Sequence, residues 1–258
     1  MRISSWNING LRAAVRKGFT TWLDATRPDI VSVQEIRAHP HQLEAEVSKL
    51  KPRHVELTPA RRLGYSGLGL FAHRRPSEVY TSLGVRRFDV EGRFQLARFG
   101  RLWVCNVYVP SGNGVDRDLS RTPYKLAFLR TLKARLESLR AAKERVLVMG
   151  DFNIAHEEID LARPRENRDN SGFLPKERAA LRSWFDAGWV DTFREVHGPV
   201  PGHYSWWSTR SGVRERNIGW RIDLVLATPQ AMRLVRDAYI ERHIYGSDHC
   251  PVGVRLRA

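Results

Sequence analysis

The 258-residue sequence predicts an α/β protein, a single domain built from two similar layered halves. Three observations predict it. Apolar runs of strand length alternate with amphipathic segments of helix length along the whole chain, and no short repeat, low-complexity tract or linker interrupts them. The order runs strand, helix and strands, then helix, strand, long loop, strands, helix and strands, with the two halves meeting near residues 110–124. A chain of this size buries roughly three quarters of its surface, which supports a sizeable core without covalent staples.

Taken in order, residues 2–7 form the first strand. Val15, Phe19, Trp22 and Leu23 then recur at helical spacing, with Arg12, Arg16 and Lys17 on the opposite side, which predicts one amphipathic helix with a basic face. Arg27-Pro28-Asp29 stops it. Residues 30–35 are the second strand, and a helix over residues 41–50 ends before Pro52; His39 and His41 beside Pro40 read as solvated or capping side chains. Strands follow at 55–57, 67–72, 79–85, 93–99 and 102–108, the last two paired antiparallel across Gly100 and Arg101. Residues 124–140 are the clearest helix, with Phe128, Leu129, Leu132, Leu136 and Leu139 as its buried stripe. A strand at 146–149 leads into a long loop over 155–175, a length that favours a functional segment. A helix over 175–187 closes at Gly188, strands at 204–208 and 219–227 bracket the basic loop 209–217, a helix follows Pro229, and strands at 238–243 and 251–257 complete the chain.

Composition narrows the partner. Lys and Arg number 43 against 28 Asp and Glu, a formal charge of +15, so the field favours a polyanion. Cys105 and Cys250 are the only cysteines, which fits a reducing compartment and no disulfide framework. The first strand begins at once, leaving no room for a secretory signal, and the apolar runs fall far short of the ~20 residues of a membrane span. The expectation is a cytoplasmic monomer with no membrane partner.

The strand at 146–149 runs directly into chemistry. Its four apolar residues read as a strand covered on both faces, Gly150 permits a tight turn, and Asp151 and Asn153 project to one side while Phe152 points away. Gly-Asp and Asn are also ordinary turn residues, so the other strand ends decide the reading. Ser5-Trp6-Asn7-Ile8-Asn9-Gly10 follows the first strand, and residues 31–35 end on Glu35. Residues 104–110 carry Asn106 and Tyr108, Gly219-Trp220-Arg221-Ile222-Asp223 precedes an apolar run, and Ser247-Asp248-His249 precedes the last strand. Polar residues at so many strand ends point to one site.

The segments WNINGLRA, VSVQE, YSGLGLF, NVYVPSG, GDFNIAHEEIDL, NSGFLPKER, GWRIDLVL and SDHCPV cover nearly the whole chain. Together they resemble the exonuclease III family of DNA-repair nucleases, within the endonuclease/exonuclease/phosphatase superfamily. GDFN and SDH point to the superfamily alone, whereas NINGLRA, AHEEIDL and GWRID resemble its DNA-repair branch. The resemblance implies a four-layer α/β sandwich, two mostly antiparallel sheets packed face to face and flanked by helices, with the active site at one rim. It also implies phosphodiester hydrolysis 5′ to abasic sites and at 3′ ends of double-stranded DNA, as AP endonuclease, 3′-5′ exonuclease and 3′-phosphatase.

Such hydrolysis requires a hard cation, an oriented water and a donor for the charge that develops on phosphate. By the resemblance, Glu35 is the principal ligand of Mg²⁺ or Mn²⁺, Asn7 and Asp248 complete or support that shell, and Asp151 and Asn153 lie near a second possible position. Asp151 orients or deprotonates the attacking water and Asn153 helps to hold it. His249 donates to a phosphate oxygen, Asp223 fixes its tautomer, and Tyr108, as tyrosine or tyrosinate, contacts the phosphate or leaving oxygen. Trp206, Trp220 and Ile222 match the apolar pocket that receives an abasic deoxyribose, although strand aromatics also serve as core. Asn9, Arg12, Lys17 and Arg210 are the expected DNA contacts, and Asn167 matches a small polar residue of abasic-site-cleaving relatives. Ser111 departs from the Asn or Gln that some relatives carry, so backbone donors of Gly112, Asn113 and Gly114 stand in for a side-chain amide.

Other readings fit less well. A superfamily enzyme for phosphoinositides, sphingolipids or RNA tails disagrees with the basic charge and with GWRID and AHEEIDL. A non-catalytic DNA-binding module disagrees with the full set Glu35, Asp151, Asp223, Asp248 and His249. Cys250, beside His249 but apolar in its surroundings, has no second partner for thiol chemistry. Within the family, the alternative is a dedicated 3′-5′ exodeoxyribonuclease and 3′-phosphatase with little AP endonuclease activity.

Overall fold

The computed structural model describes residues 1–50, 54–116 and 118–257. Four strands open the chain, β1 (Arg2–Asn7), β2 (Ile30–Gln34), β3 (His54–Thr58) and β4 (Leu68–Ala72), and four follow, β5 (Glu78–Tyr80), β6 (Phe94–Phe99), β7 (Leu102–Tyr108) and β8 (Arg145–Asp151). The rest are β9 (Val190–Asp191), β10 (Trp206–Trp207), β11 (Gly219–Trp220), β12 (Asp223–Ala227), β13 (Val235–Ile240) and β14 (Val252–Leu256). They make one six-stranded sheet in the order β13-β14-β1-β2-β4-β3, another in the order β5-β6-β7-β8-β12-β9, and a short β10-β11 ribbon. Each large sheet is antiparallel except at one central pair, β1 with β2 and β7 with β8. All four central strands are buried on both faces; β8 does so with an unbroken apolar run at residues 146–149, whereas β1 and β2 bury Ser4, Ser5 and Ser32 among their apolar residues.

Four layers result, as the resemblance implies. Ile3, Leu70, Val104, Leu147, Met149, Val225 and Val254 fill the space between the sheets. Helices α1 (Leu11–Arg16), α2 (Phe19–Thr26) and α3 (Glu44–Ser48) cover the outer face of the first sheet through Trp6, Phe19, Trp22 and Phe71. Helix α4 (Arg86–Asp89), with α5 (Thr122–Ala141) and α6 (Pro175–Asp186), covers the second through Phe88, Phe128, Leu132, Phe152 and Trp184. Each of these buried side chains contributes roughly 1.5–3 kcal/mol by leaving water. Asn106, which the sequence places among the strand-end residues, lies between the sheets instead. It donates to Gln95 Oε1 at 2.9 Å and accepts from Gln34 Nε2 at 2.7 Å. It is a satisfied polar tie across the core and not part of the cleft.

Several expected elements differ, each for a local reason. The single helix expected after β1 is two, because Gly18 takes φ +99° between α1 and α2. The helix expected over residues 41–50 is a 3-10 turn at Pro40–Gln42 followed by the short α3, and Pro52 lies outside the described residues. The strand expected over 79–85 stops at Tyr80. Asp89 accepts from the Leu83 N–H at 2.7 Å and from the Ser82 hydroxyl, so these groups serve the entry to α4 and not a ladder. The strand expected over 219–227 divides into β11 and β12 because the Arg221 N–H donates to the Asp160 carbonyl at 2.7 Å and the Ile222 N–H to the Ser205 hydroxyl at 3.2 Å. Helix α7 (Thr192–His197) had no counterpart in the sequence reading; its signal is the N-cap Asp191, which accepts from the N–H groups of Phe193 and Arg194. Helix α8 (Pro229–Met232) follows Pro229 as expected. Among the described residues, no helix is long and apolar enough to cross a membrane.

Candidate active site

The last residues of β1, β2, β7 and β8 and the first residue of β12 meet at one rim, which brings Asn7, Tyr108, Asp151 and Asp223 together with Glu35 just beyond β2. Gly150 takes φ +147°, and a Cβ there would stand 1.9 Å from the Val107 carbonyl oxygen of the parallel neighbour β7. Only glycine allows this approach, and it delivers Asp151 to the rim. Glu35 just beyond β2 and Asn153 just beyond β8 adopt φ +58° and +52°, conformations that are costly for side-chain-bearing residues and cluster at functional sites.

Asp151 and Asp223 are partners across β8 and β12, and both are buried. His249 Nδ1 lies 2.8 Å from Asp223 Oδ2, which also accepts from the Ser205 hydroxyl at 2.7 Å. On the other side of the ring, Nε2 stands 3.8 Å from Asp151 Oδ2, too far for a hydrogen bond. Asn7, fully buried beneath the cleft floor, donates to Glu35 Oε1 at 2.9 Å and to Asp151 Oδ2 at 3.0 Å. Asp151 also accepts from the Asn153 backbone N–H at 2.8 Å and from its side-chain amide at 3.2 Å. Asp248 accepts from Asn9 Nδ2 at 2.9 Å and from Trp206 Nε1 at 3.1 Å.

Electrostatics divides these acids. Burial raises the Asp151 carboxyl to about 7, with Asp223 adding to the rise and His249 opposing it. Burial disfavours the imidazolium of His249, but the Asp223 carboxylate outweighs it and lifts the ring to about 10. Tyr108 is pushed well above its ordinary value, first by burial and then by Glu35, so its phenol keeps its proton. Burial would raise Asp248, yet His249 and the bonds from Asn9 and Trp206 hold it below the ordinary range.

A cleft of about 920 Å³ opens over these groups, lined by Glu35, Tyr108, Asp151, Asn153, Asp248 and His249. Ser111, Asn167, Trp206, Arg210, Trp220 and Ile222 line it too, so most of the expected site residues are brought together. Trp206, Trp220 and Ile222 pack with Leu161 and Phe173 into a small apolar cluster, with the two indoles only partly covered. They form a pocket wall as well as core. Asn9, Lys17 and Arg210 line a neighbouring cleft of about 530 Å³. Arg12 is exposed and lines neither.

Four supporting residues escaped the sequence reading. Arg37 Nε donates to Glu35 Oε2 at 2.7 Å, Ser205 supports Asp223, and the Arg93 guanidinium lies 4.3 Å from the centre of the Tyr108 ring. Lys125, fully buried at the start of the apolar stripe of α5, donates to the Asn153 carbonyl at 2.7 Å and to Glu177 Oε1 at 2.6 Å. A lysine on an otherwise apolar helical stripe is a readable signal for such a buried pair.

One ligand atom from each of Asp151, Asp223 and His249 lies within 4.8 Å of the others, a group that could hold a metal ion. The comparisons with known proteins agree with this chemistry. The sequence profile of the Endonuclease/Exonuclease/phosphatase family matches residues 4–249. The chain is 39% identical over 253 residues to an exodeoxyribonuclease of Bacillus subtilis, covering 98% of each chain. It is 31% identical over 256 residues to a DNA-(apurinic or apyrimidinic site) endonuclease of Dictyostelium discoideum, covering 98% of this chain and 70% of that one. Among solved structures, an AP endonuclease from Archaeoglobus fulgidus superposes with a TM-score of 0.89 over 100% of both chains at 27% identity. The chain belongs to the endonuclease/exonuclease/phosphatase family, as a phosphodiester-hydrolysing DNA-repair nuclease of its exonuclease III branch.

Proposed function

We propose that this protein hydrolyses phosphodiesters of double-stranded DNA 5′ to abasic sites and at 3′ ends, as AP endonuclease, 3′-5′ exonuclease and 3′-phosphatase, using Mg²⁺ or Mn²⁺. The observation that carries the reading is the placing of two buried devices on either side of Asp151: the Asp223–His249 pair, whose Nε2 stands 3.8 Å from Asp151 Oδ2, and the Asn7 amide that joins Asp151 to Glu35. Chain charge, +15, suits the polyanionic substrate. We place the protein in the cytoplasm as a monomer acting on chromosomal DNA; its two thiols are both free and buried.

The donor set fits a hard cation. His249 has its Nδ1 committed to Asp223 and favours the charged ring, which has no lone pair to give a metal. The oxygens of Glu35 and Asp151, spanned by Asn7, suit Mg²⁺ or Mn²⁺ better, with Asp248 in support and Asn153 beside a second position. Once bound, the cation neutralises charge on the phosphate. The chain does the rest. Asp151, held by Asn7 and Asn153, accepts the proton of the attacking water. His249, fixed by Asp223, presents Nε2–H to a phosphate oxygen as negative charge grows there. Tyr108, protonated and braced by Arg93, donates at the phosphate or the leaving oxygen.

Labelled duplexes carrying an abasic analogue, a 3′-phosphate or a recessed 3′ end, each with Mg²⁺, Mn²⁺ or EDTA, test the reading. Metal-dependent turnover of all three is expected. Trimming of 3′ ends with the abasic duplex left intact would make the enzyme a dedicated 3′ exonuclease and phosphatase.

A further inference from the structure

The second cleft contains a feature that the hydrolysis does not use. Tyr245 is 60% exposed, a large aromatic on the surface of a basic protein. Behind it lies Arg214, whose guanidinium carbon stands 4.3 Å from the centre of the Tyr245 ring and 4.4 Å from that of Trp207. Trp207 is buried and anchored by its Nε1–H to Asn217 at 3.2 Å. The guanidinium is clamped in its own plane, donating to the carbonyls of Ser247 at 2.9 Å, Arg242 at 3.0 Å and Ile244 at 2.6 Å. Arg214 thus packs on both the buried indole and the exposed phenol, a support held rigid at its base and open to solvent at Tyr245. Rigidity matters because a pre-ordered ring loses little entropy when a ligand settles on it.

The position of this support suggests its ligand. Thr209, Arg210, Ser211 and Asp248 line both clefts, so the second continues the first past the basic loop. Lys17 and Arg210 flank it with positive charge. A nucleic-acid strand threaded through the main cleft would reach the ring of Tyr245 with its phosphates beside these cations. Aromatic rings in such grooves take bases, since every base has a π-face. Inside a duplex both faces of a base are already covered, so the ring can add affinity only for a base with one face free.

We infer that Tyr245, mounted on Arg214 and Trp207, is a stacking platform for one unpaired nucleobase of the DNA strand engaged in the main cleft. The inference rests on the nuclease reading above. It is separable from it by binding measurements on DNA whose terminal linkages are phosphorothioates that resist cleavage, with Mg²⁺ present. One duplex carries 2-aminopurine as an unpaired terminal base, and a matched duplex carries it paired in its interior, with both faces covered. Wild-type protein and Tyr245→Phe should quench the unpaired probe and bind that duplex roughly tenfold tighter than Tyr245→Ala or Tyr245→Leu. All four should bind the paired duplex alike and show the same salt slope, because no phosphate contact changes. Tyr245→Leu keeps Arg214 covered without a π-face, so it separates stacking from support of the loop. The inference is overturned if Ala and Leu variants match wild type on the unpaired probe, or if they lose affinity equally for both duplexes. Failure of wild-type protein to bind either duplex overturns the nuclease reading as well.

Discussion

Asp151 and Asp223 face each other across β8 and β12, yet only Asp223 is joined to His249, at 2.8 Å against 3.8 Å for Asp151. Two carboxylates in one register therefore stand in different surroundings, and on the proposed function one holds an imidazolium while the other accepts a proton.

That division predicts a pH effect. Asp223 raises His249 from 6.5 to about 10, so the protonated ring persists until pH rises through about 10. In Asp223→Asn burial remains and disfavours the charged ring, so its protonation is lost at lower pH. Activity of the variant should fall on the alkaline side from near or below the ordinary imidazole value. At pH 8 turnover should drop by at least ~10². A pH profile of kcat with an unmoved alkaline limb would exclude the charged His249 ring as the hydrogen-bond donor to the phosphate.

Metal removal gives the second prediction. On the proposed ligand set, in which Glu35 and Asp151 offer oxygens to one hard cation, EDTA should abolish activity on every substrate and Mg²⁺ or Mn²⁺ should restore it. Asp151→Asn should lower kcat by at least ~10² while DNA binding persists, since the lost contact is to the transition state. Full activity of Asp151→Asn, measured with saturating metal, would remove the assigned mechanism.

Stability should have an acid limb set by Asp160. This carboxylate is buried; burial would raise it, but Arg221 and Arg194 outweigh burial and hold it at about 2. Arg221 Nε donates to it at 2.8 Å and Nη2 donates to Asp191 at 2.7 Å, which ties the long loop to β9 and the β11–β12 break. A depressed folded value means that stability is fully present above about 4 and is lost as pH falls towards 2. Asp160→Asn should flatten this dependence and, by leaving Arg221 and Arg194 short of a counter-charge, cost about 3–5 kcal/mol near neutral pH. Urea unfolding at several pH values between 2 and 7 measures both effects.

Reading the sequence located the site better than it located the elements. Strand ends such as Glu35, Asp151 and Asp248 were legible because polar residues closing apolar runs stand out locally. The break at Arg221 was hidden because its cause, the Asp160 carbonyl, lies 61 residues away in sequence. Arg37 and Ser205 were hidden for a similar reason: a surface-type arginine and a small hydroxyl carry no pattern until the fold brings them to Glu35 and Asp223. The shortened β5 shows the converse, where a β-rich stretch yields to a local side-chain cap at Asp89.

Phosphate contacts should dominate DNA affinity, so log K should fall linearly with log salt at about −0.9 per neutralised phosphate. Lys17 lines the second cleft, whereas Arg12 lines neither. Lys17→Gln should therefore flatten the slope by close to one phosphate, and Arg12→Gln by less. Filter binding or anisotropy between about 50 and 200 mM salt compares them.

On the proposed function, lesion choice turns on Trp220. It packs edge-on against Trp206, with centroids 6.3 Å apart at 82°, and against Phe173 at 6.4 Å and 83°. With Ile222 this makes an apolar wall within the cleft, and Asn167 lies on the same cleft with its side-chain amide turned to the Arg163 carbonyl at 2.8 Å. An abasic nucleotide is extruded at reduced unstacking cost and fits an apolar pocket too small for a normal nucleotide. A terminal 3′-phosphate needs the groups around Asp151 and His249 but less of the wall. Trp220→Ala should thus impair incision at an abasic analogue about tenfold more than it impairs removal of a 3′-phosphate, with the excess in KM, since the wall binds the sugar without touching the reacting bond. Steady-state kinetics on the two substrates decide it. Equal losses would make Trp220 a core residue whose removal loosens the cleft as a whole.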